Sequence, residues 1–199
     1  MTPEGLARLI LARADGPGRF LVALAGPPAA GKSTLAADLA ARLPDARVVP
    51  MDGFHYDDRV LEARGLRSRK GAPETFDAMG FLHLLRRLRD EDEVAIPLFD
   101  RDLEISRAGA DIVLPSDRIL IVEGNYLLLD RAPWTQAAAL FDLTVFVEVP
   151  EEELVRRLTD RWRHHGRPDA AQWIESNDLP NIRTVLTGST PAEIVLRPA

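Results

Sequence analysis

The chain has 199 residues, 46% of them hydrophobic, which is enough for one domain with a real core and marginal for two. Its 31 acidic and 25 basic residues leave a net charge of -6, which argues against a nucleic acid or membrane partner but leaves room for a small anionic ligand in a local basic pocket. With no cysteine, no cleavable-signal pattern and no apolar run of membrane-spanning length, the expected setting is the cytoplasm.

Thr2, Pro3 and Glu4 supply a capping hydroxyl, a proline at the first helical position and an early acid, predicting a helix to about Arg13 that stops at "DGPG". "RFLVALAG" (19–26) reads as a strand buried on both faces, and "STLAADLAARL" repeats apolar residues at helical spacing. Further strands are predicted at 46–52, 117–125, 142–150 and 192–198, with helices at about 78–90, 131–139, 151–165 and 169–187, the last broken near Pro180. The segment 53–77, polar and rich in glycine and charge, is expected to be irregular. Strands alternating with helices predict an α/β domain over 1–199: a three-layer sandwich around a five-stranded, mostly parallel sheet with right-handed crossovers. Ligands in such sheets bind beyond the carboxyl ends of the strands, which directs attention to Gly26, Asp52, Glu123 and Glu148.

Gly26 to Ser33 read G-P-P-A-A-G-K-S, matching G-x-x-x-x-G-K-[ST] between a predicted strand and a predicted helix. Glycine lets backbone amides approach a ligand, and the helix start aims free N–H groups and the positive dipole end at the same point. The loop, with Gly26, Ala29, Ala30 and Gly31, is therefore expected to cradle a polyphosphate, with Lys32 on its outer phosphates, Ser33 on Mg2+ and Thr34 near the α-phosphate. Lys32 and Lys70 are the only lysines among the 25 basic residues, so a compact ammonium stands out against the chain's arginine habit.

No N-K-x-D guanine reader is present, and a motor or transporter ATPase needs more chain or a partner; a small-molecule kinase is the class that remains. Such an enzyme needs a base near the acceptor hydroxyl and a cover that excludes water. Asp52, in "MDGFH", suits the base or a water-mediated Mg2+ contact, the lesser alternative being a helix or turn cap. Glu123 closes "ILIVEG" where a Walker B acid supports Mg2+. Arg161, Arg163 and Arg167, in a segment at about 156–168, suit an arginine-rich lid over the γ-phosphate, or else a polar helix face with ordinary ion pairs.

The phosphate loop, "MDGFH", "KGAPETFD", "IPLFDRDLEISR", "IVEGNYLLLD" and the arginine-rich segment, in this order, resemble the phosphoribulokinase, uridine kinase and bacterial pantothenate kinase group of P-loop kinases over about 19–197. The resemblance is nearest to the branch called uridine kinase-like or fructose transport system kinase. It implies ATP with Mg2+ as cofactors, Asp52 as catalytic base, Lys32 and Arg161 as charge stabilisers, and an acceptor loop over 53–77. It also implies Lys70 and Asp77 by the acceptor, His55, Tyr56 and Arg101 as further pocket residues, and Asn177 or Asn181 on the adenine side, "NDLPN" being otherwise a helix-breaking turn. The aromatic and acidic signature usual in uridine kinases is not cleanly present, and 199 residues leave little room for the extra segments of pantothenate kinases. A sugar or similar small alcohol is therefore the expected acceptor, with a nucleoside, pantothenate or a regulatory ATP-binding module as alternatives, and a homodimer is compatible with the reading.

Overall fold

The computed structural model describes residues 1–166 and 168–197. Among them the strands are β1 (Phe20–Ala25), β2 (Ala46–Pro50), β3 (Val94–Asp100), β4 (Ile105–Val113), β5 (Ile119–Gly124), β6 (Leu143–Val147) and β7 (Ile194–Leu196). The helices are α1 (Pro3–Arg13), α2 (Lys32–Arg42), α3 (Asp58–Ala63), α4 (Ala78–Asp90), α5 (Glu151–His164), α6 (Ala170–Trp173) and α7 (Leu179–Gly188). Helix α1 starts as its sequence predicts: Thr2 Oγ1 accepts from the Gly5 amide at 3.2 Å, with Pro3 next in line.

Five strands form one sheet in the order β2-β5-β1-β6-β7, and every pairing in it is parallel. Each central strand feeds two cores, which is why β1 and β5 read as unbroken apolar runs. Leu21, Ala23 and Ala25 face a core built with α4, the β3–β4 hairpin and Trp134. Val22 and Leu24 face the other core, with Leu6 and Ile10 of α1, Ala36 and Leu39 of α2, and Leu154 and Leu158 of α5.

The strand order decides what meets at the carboxyl edge. β5 lies between β1 and β2, so Glu123 is in register with Leu24 on one side and Pro50 on the other. The loop after β1, the turn after β2 and the end of β5 therefore come together.

The structure departs from the sequence expectations at four places. The β3–β4 hairpin was not foreseen: Pro97 cannot donate to a ladder and marks the register shift between Ile96 and Leu98, while β4 carries few large apolar residues. The predicted helix at 131–139 is two short 3-10 turns, Trp134–Gln136 and Ala138–Leu140. The helix at 169–187 widens into a π-helical turn at Ile174–Asp178 instead of breaking; Pro180 follows directly in α7, and the carbonyl of Ser176, four residues before it, accepts from Arg69 at 3.2 Å. The stretch 53–77 carries α3 and short 3-10 turns.

The hairpin is anchored at both ends. At its base, the Arg19 guanidinium donates to the carbonyls of Leu88, Glu91, Asp92, Leu114 and Asp117. At its tip the Glu104 carbonyl accepts from Lys70 Nζ, and midway along β3 Gly53 approaches so closely that a Cβ there would lie 2.2 Å from the Pro97 carbonyl oxygen. Gly53→Ala must push the hairpin off the turn that carries Asp52, and overpacking of this kind costs about 1–3 kcal/mol. Urea unfolding should show the midpoint fall with the slope unchanged; a wild-type midpoint would mean that the hairpin is not clamped at this contact.

Candidate active site

β1 delivers the chain into the loop 26–31, and α2 starts at Lys32. Gly31 caps α2 at φ 89, in the left-handed region that glycine enters without a Cβ penalty. The first turn of α2 holds no acidic side chain, so its positive end is left for an anion from elsewhere. Lys32 Nζ folds back to donate to the Pro27 carbonyl at 2.9 Å and Asn125 Oδ1 at 2.7 Å, and Ser33 Oγ donates to Glu123 Oε1 at 3.1 Å. Burial lowers the Lys32 ammonium to about 8, against the pull of Glu123 and Asp52.

Asp52 lies in the 3-10 turn Met51–Phe54 that follows β2, one strand away from the end of β5. Arg101, beyond the end of β3, donates to Asp52 Oδ2 at 2.6 Å. His55 sits 2.8 Å from the Asp52 carbonyl oxygen through Nδ1, its ring 4.0 Å from that of Phe76 and 4.7 Å from that of Phe99. Burial raises Asp52, but the charges of His55, Arg101 and Lys32 outweigh it and hold the carboxyl below its ordinary range. Glu123 moves the other way: burial and then the Asp52 charge raise it, over the opposition of Lys32 and Ser33. Two neighbouring carboxylates thus have their proton affinities driven apart, as in sites where paired acids take different roles.

These groups line a cleft of about 400 Å³. It gathers Ala29, Gly31, Lys32, Ser33 and Thr34 of the loop, with Asp52, His55, Arg101, Glu123, Arg161 and Asn181 of the residues expected from the sequence. Gly26 is buried against Val147 of β6, and Ala30 belongs to the core shared with α1, α2 and α5. Tyr56 lies under the Arg64 guanidinium at 4.6 Å, and Asp77 caps α4 by accepting from the Gly80 amide at 2.9 Å. Lys70 is buried, its Nζ bonded to Asp58 Oδ1 at 2.7 Å and the Glu104 carbonyl at 2.9 Å, which ties the segment 53–77 to the hairpin turn. Arg163 is exposed and pairs with Asp160 at 2.9 Å, while Arg167 lies outside the described residues. Asn181 lines the cleft near Gly71, its Nδ2 3.8 Å from where a Cβ on that glycine would stand.

Asn125 and Arg157 also line the cleft and were not anticipated. Asn125 directly follows the glycine that ends β5, a signal available in the sequence. Arg157 is disguised by Glu153 four residues earlier, a spacing that reads as an ordinary helix-face ion pair; that pair exists at 2.7 Å, and Nη1 reaches to 3.4 Å from the Ala29 carbonyl. The segment 53–77 is held from beneath, where Tyr126 donates to the Gly71 carbonyl at 2.5 Å and Asn177 to that of Lys70 at 2.8 Å.

No family model matches the chain. A Schizosaccharomyces pombe protein named "Putative uridine kinase C227.14" is 34% identical over 195 residues, spanning 90% of this chain and 83% of its own length. The chain belongs to the uridine kinase-like P-loop kinases. A crystal structure described as a "putative fructose transport system kinase" from Silicibacter sp. TM1040 superposes on this kinase with a TM-score of 0.94 at 46% identity, covering 98% of this chain and 99% of that one. The pantothenate kinase of Streptomyces avermitilis is 33% identical over 157 residues, which is 72% of this chain and 48% of that longer protein. The family and the parallel-sheet fold are those expected from the motifs, and the chain is an ATP-dependent small-molecule kinase.

The lowered Lys32 has a consequence for nucleotide binding. Only the ammonium form attracts phosphate, and its fraction in the free enzyme falls from about nine-tenths at pH 7 to about one-tenth at pH 9 when the group titrates near 8. The apparent Kd for ATP should therefore rise about tenfold over that interval, with net proton uptake on binding at pH 9. Calorimetry in two buffers of different ionisation heat measures both; a pH-independent Kd, or the same slope in Lys32→Ala, would assign the effect elsewhere.

Proposed function

We propose that this kinase moves the γ-phosphoryl group of ATP to an alcohol group of a small molecule, a sugar or a sugar-like polyol. The observation that carries the reading is the Asp52 carboxylate, kept ionised at the end of the strand next to β5 and facing the cleft that holds Lys32. In the reaction, the acceptor hydroxyl oxygen forms a bond to the γ-phosphorus and its proton passes to Asp52. The bond from that phosphorus to the bridging oxygen breaks, and ADP leaves with the electron pair. Lys32 and Arg161 offset the charge that spreads over the phosphoryl oxygens, and the segment 156–168, with Arg163 and Arg167, serves as a cover that keeps water out.

Ser33 and Glu123 would hold Mg2+, with Asp52 in reach through water. Their oxygens suit a hard cation, and among the described residues no cluster of three or more His, Cys, Asp or Glu side chains gathers to cage a metal unaided. Phosphate oxygens and water completing the shell is the usual arrangement for this ion. When bound, it neutralises charge shared between the outer phosphates.

A sugar is supported by the description of the solved relative from Silicibacter, and a nucleoside, as a second reading, by the name of the Schizosaccharomyces relative. ADP release measured across sugars, nucleosides, pantothenate and other small alcohols, beside Asp52→Asn, decides between them. Loss of a general base lowers kcat by about 100-fold or more, and the variant should show that loss with ATP affinity within about threefold of wild type. Equal turnover by Asp52→Asn would remove Asp52 from the role of base.

A further inference from the structure

Arg101 occupies a place that the handling of ATP does not explain. Its side chain is 51% exposed on the turn between β3 and β4, and it is not tied to the acids of that turn. Asp100 instead accepts from the backbone amides of Asp102 and Leu103 and pairs with Arg107 at 3.3 Å, while Glu104 engages Lys70 at 3.3 Å. The guanidinium reaches across to Asp52, where its 2.6 Å contact occupies Oδ2 of the carboxylate that must receive the acceptor's proton.

A charge-assisted bond of this kind both lowers the proton affinity of a carboxylate and blocks a lone pair. The base is therefore covered until something else engages Arg101. The polyphosphate end of the cleft has cations of its own, Lys32 and Arg157, as well as the start of α2. Arg161 lines the same cleft, its guanidinium 5.5 Å from the centre of the Trp162 ring.

We propose that the acceptor alcohol carries an anionic group, a carboxylate or a phosphate ester, which draws Arg101 away from Asp52 and so uncovers the base. The inference rests on the kinase reading above and narrows its acceptor class from a plain sugar to a hydroxy acid or a phosphorylated polyol. A neutral alcohol gives Arg101 no replacement partner, so the guanidinium stays on the carboxylate.

The test is kcat/KM for matched acceptors: glycerol against glycerate and glycerol 3-phosphate, fructose against gluconate and fructose 6-phosphate, and pantothenol against pantothenate. The carboxylate and phosphate arms separate the two kinds of anion. Wild type should favour the anionic member of the productive set by about 10- to 100-fold, the strength of a charge-assisted bond to a guanidinium. Arg101→Gln should erase most of that ratio by raising the acceptor KM, and Arg101→Lys should restore part of it, since an ammonium keeps the charge without the planar fork. A merely structural Arg101 would depress charged and neutral acceptors alike, leaving the ratio unmoved, and that result overturns the inference. Neutral acceptors used as well as charged ones by wild type also overturn it while the kinase reading stands. If no alcohol of either kind stimulates Asp52-dependent ADP release, the kinase reading falls and the inference with it.

Discussion

A lysine ammonium kept largely out of water at the carboxyl edge of a parallel sheet sets the terms for the rest of this site. Burial disfavours its charge, and the protein offsets that with the Pro27 carbonyl, Asn125 Oδ1 and the nearby Glu123 and Asp52 carboxylates. These partners come from three separate stretches of the chain, and they meet because β5 is inserted between β1 and β2. The register that levels Glu123 with Leu24 and Pro50 fixes the height at which the loop, Asp52 and Glu123 face each other.

The two carboxylates share this environment and respond to it differently. Asp52 is surrounded by His55, Arg101 and Lys32, and their combined charge overcomes its burial. Glu123 is deeper, feels Asp52 as a like charge, and receives only one hydroxyl hydrogen bond, from Ser33. The distinction between a ready carboxylate and one that gains from a cation therefore comes from the packing of neighbours, since both residues simply end a strand or open a turn.

The β3–β4 hairpin links this chemistry to the fold. Arg19 fastens its base, Gly53 lets its middle press against the turn bearing Asp52, and Lys70 ties its tip to the segment 53–77. A single lysine thus serves as a strut where the motif around it had suggested contact with the acceptor. Asp77 behaves similarly: in "KGAPETFD" it looks like a pocket acid, but its carboxylate caps α4.

The sequence by itself determined the phosphate loop, the five parallel strands, the family and the chemical identity of Lys32, Ser33, Asp52 and Glu123, because these depend on contiguous motifs and on runs of buried residues whose periodicity is local. The hairpin has no clear local signature, since Pro97 interrupts its first strand and its second has little apolar signal. Arg157 was hidden by an ion pair with Glu153 that any exposed helix could carry. Only the tertiary structure decided which charged residues point into the cleft and which are spent on capping and tying loops. Arg101 and Asp52 are 49 residues apart in the chain, and a contact at that separation is set by strand order and hairpin packing, which no local pattern records.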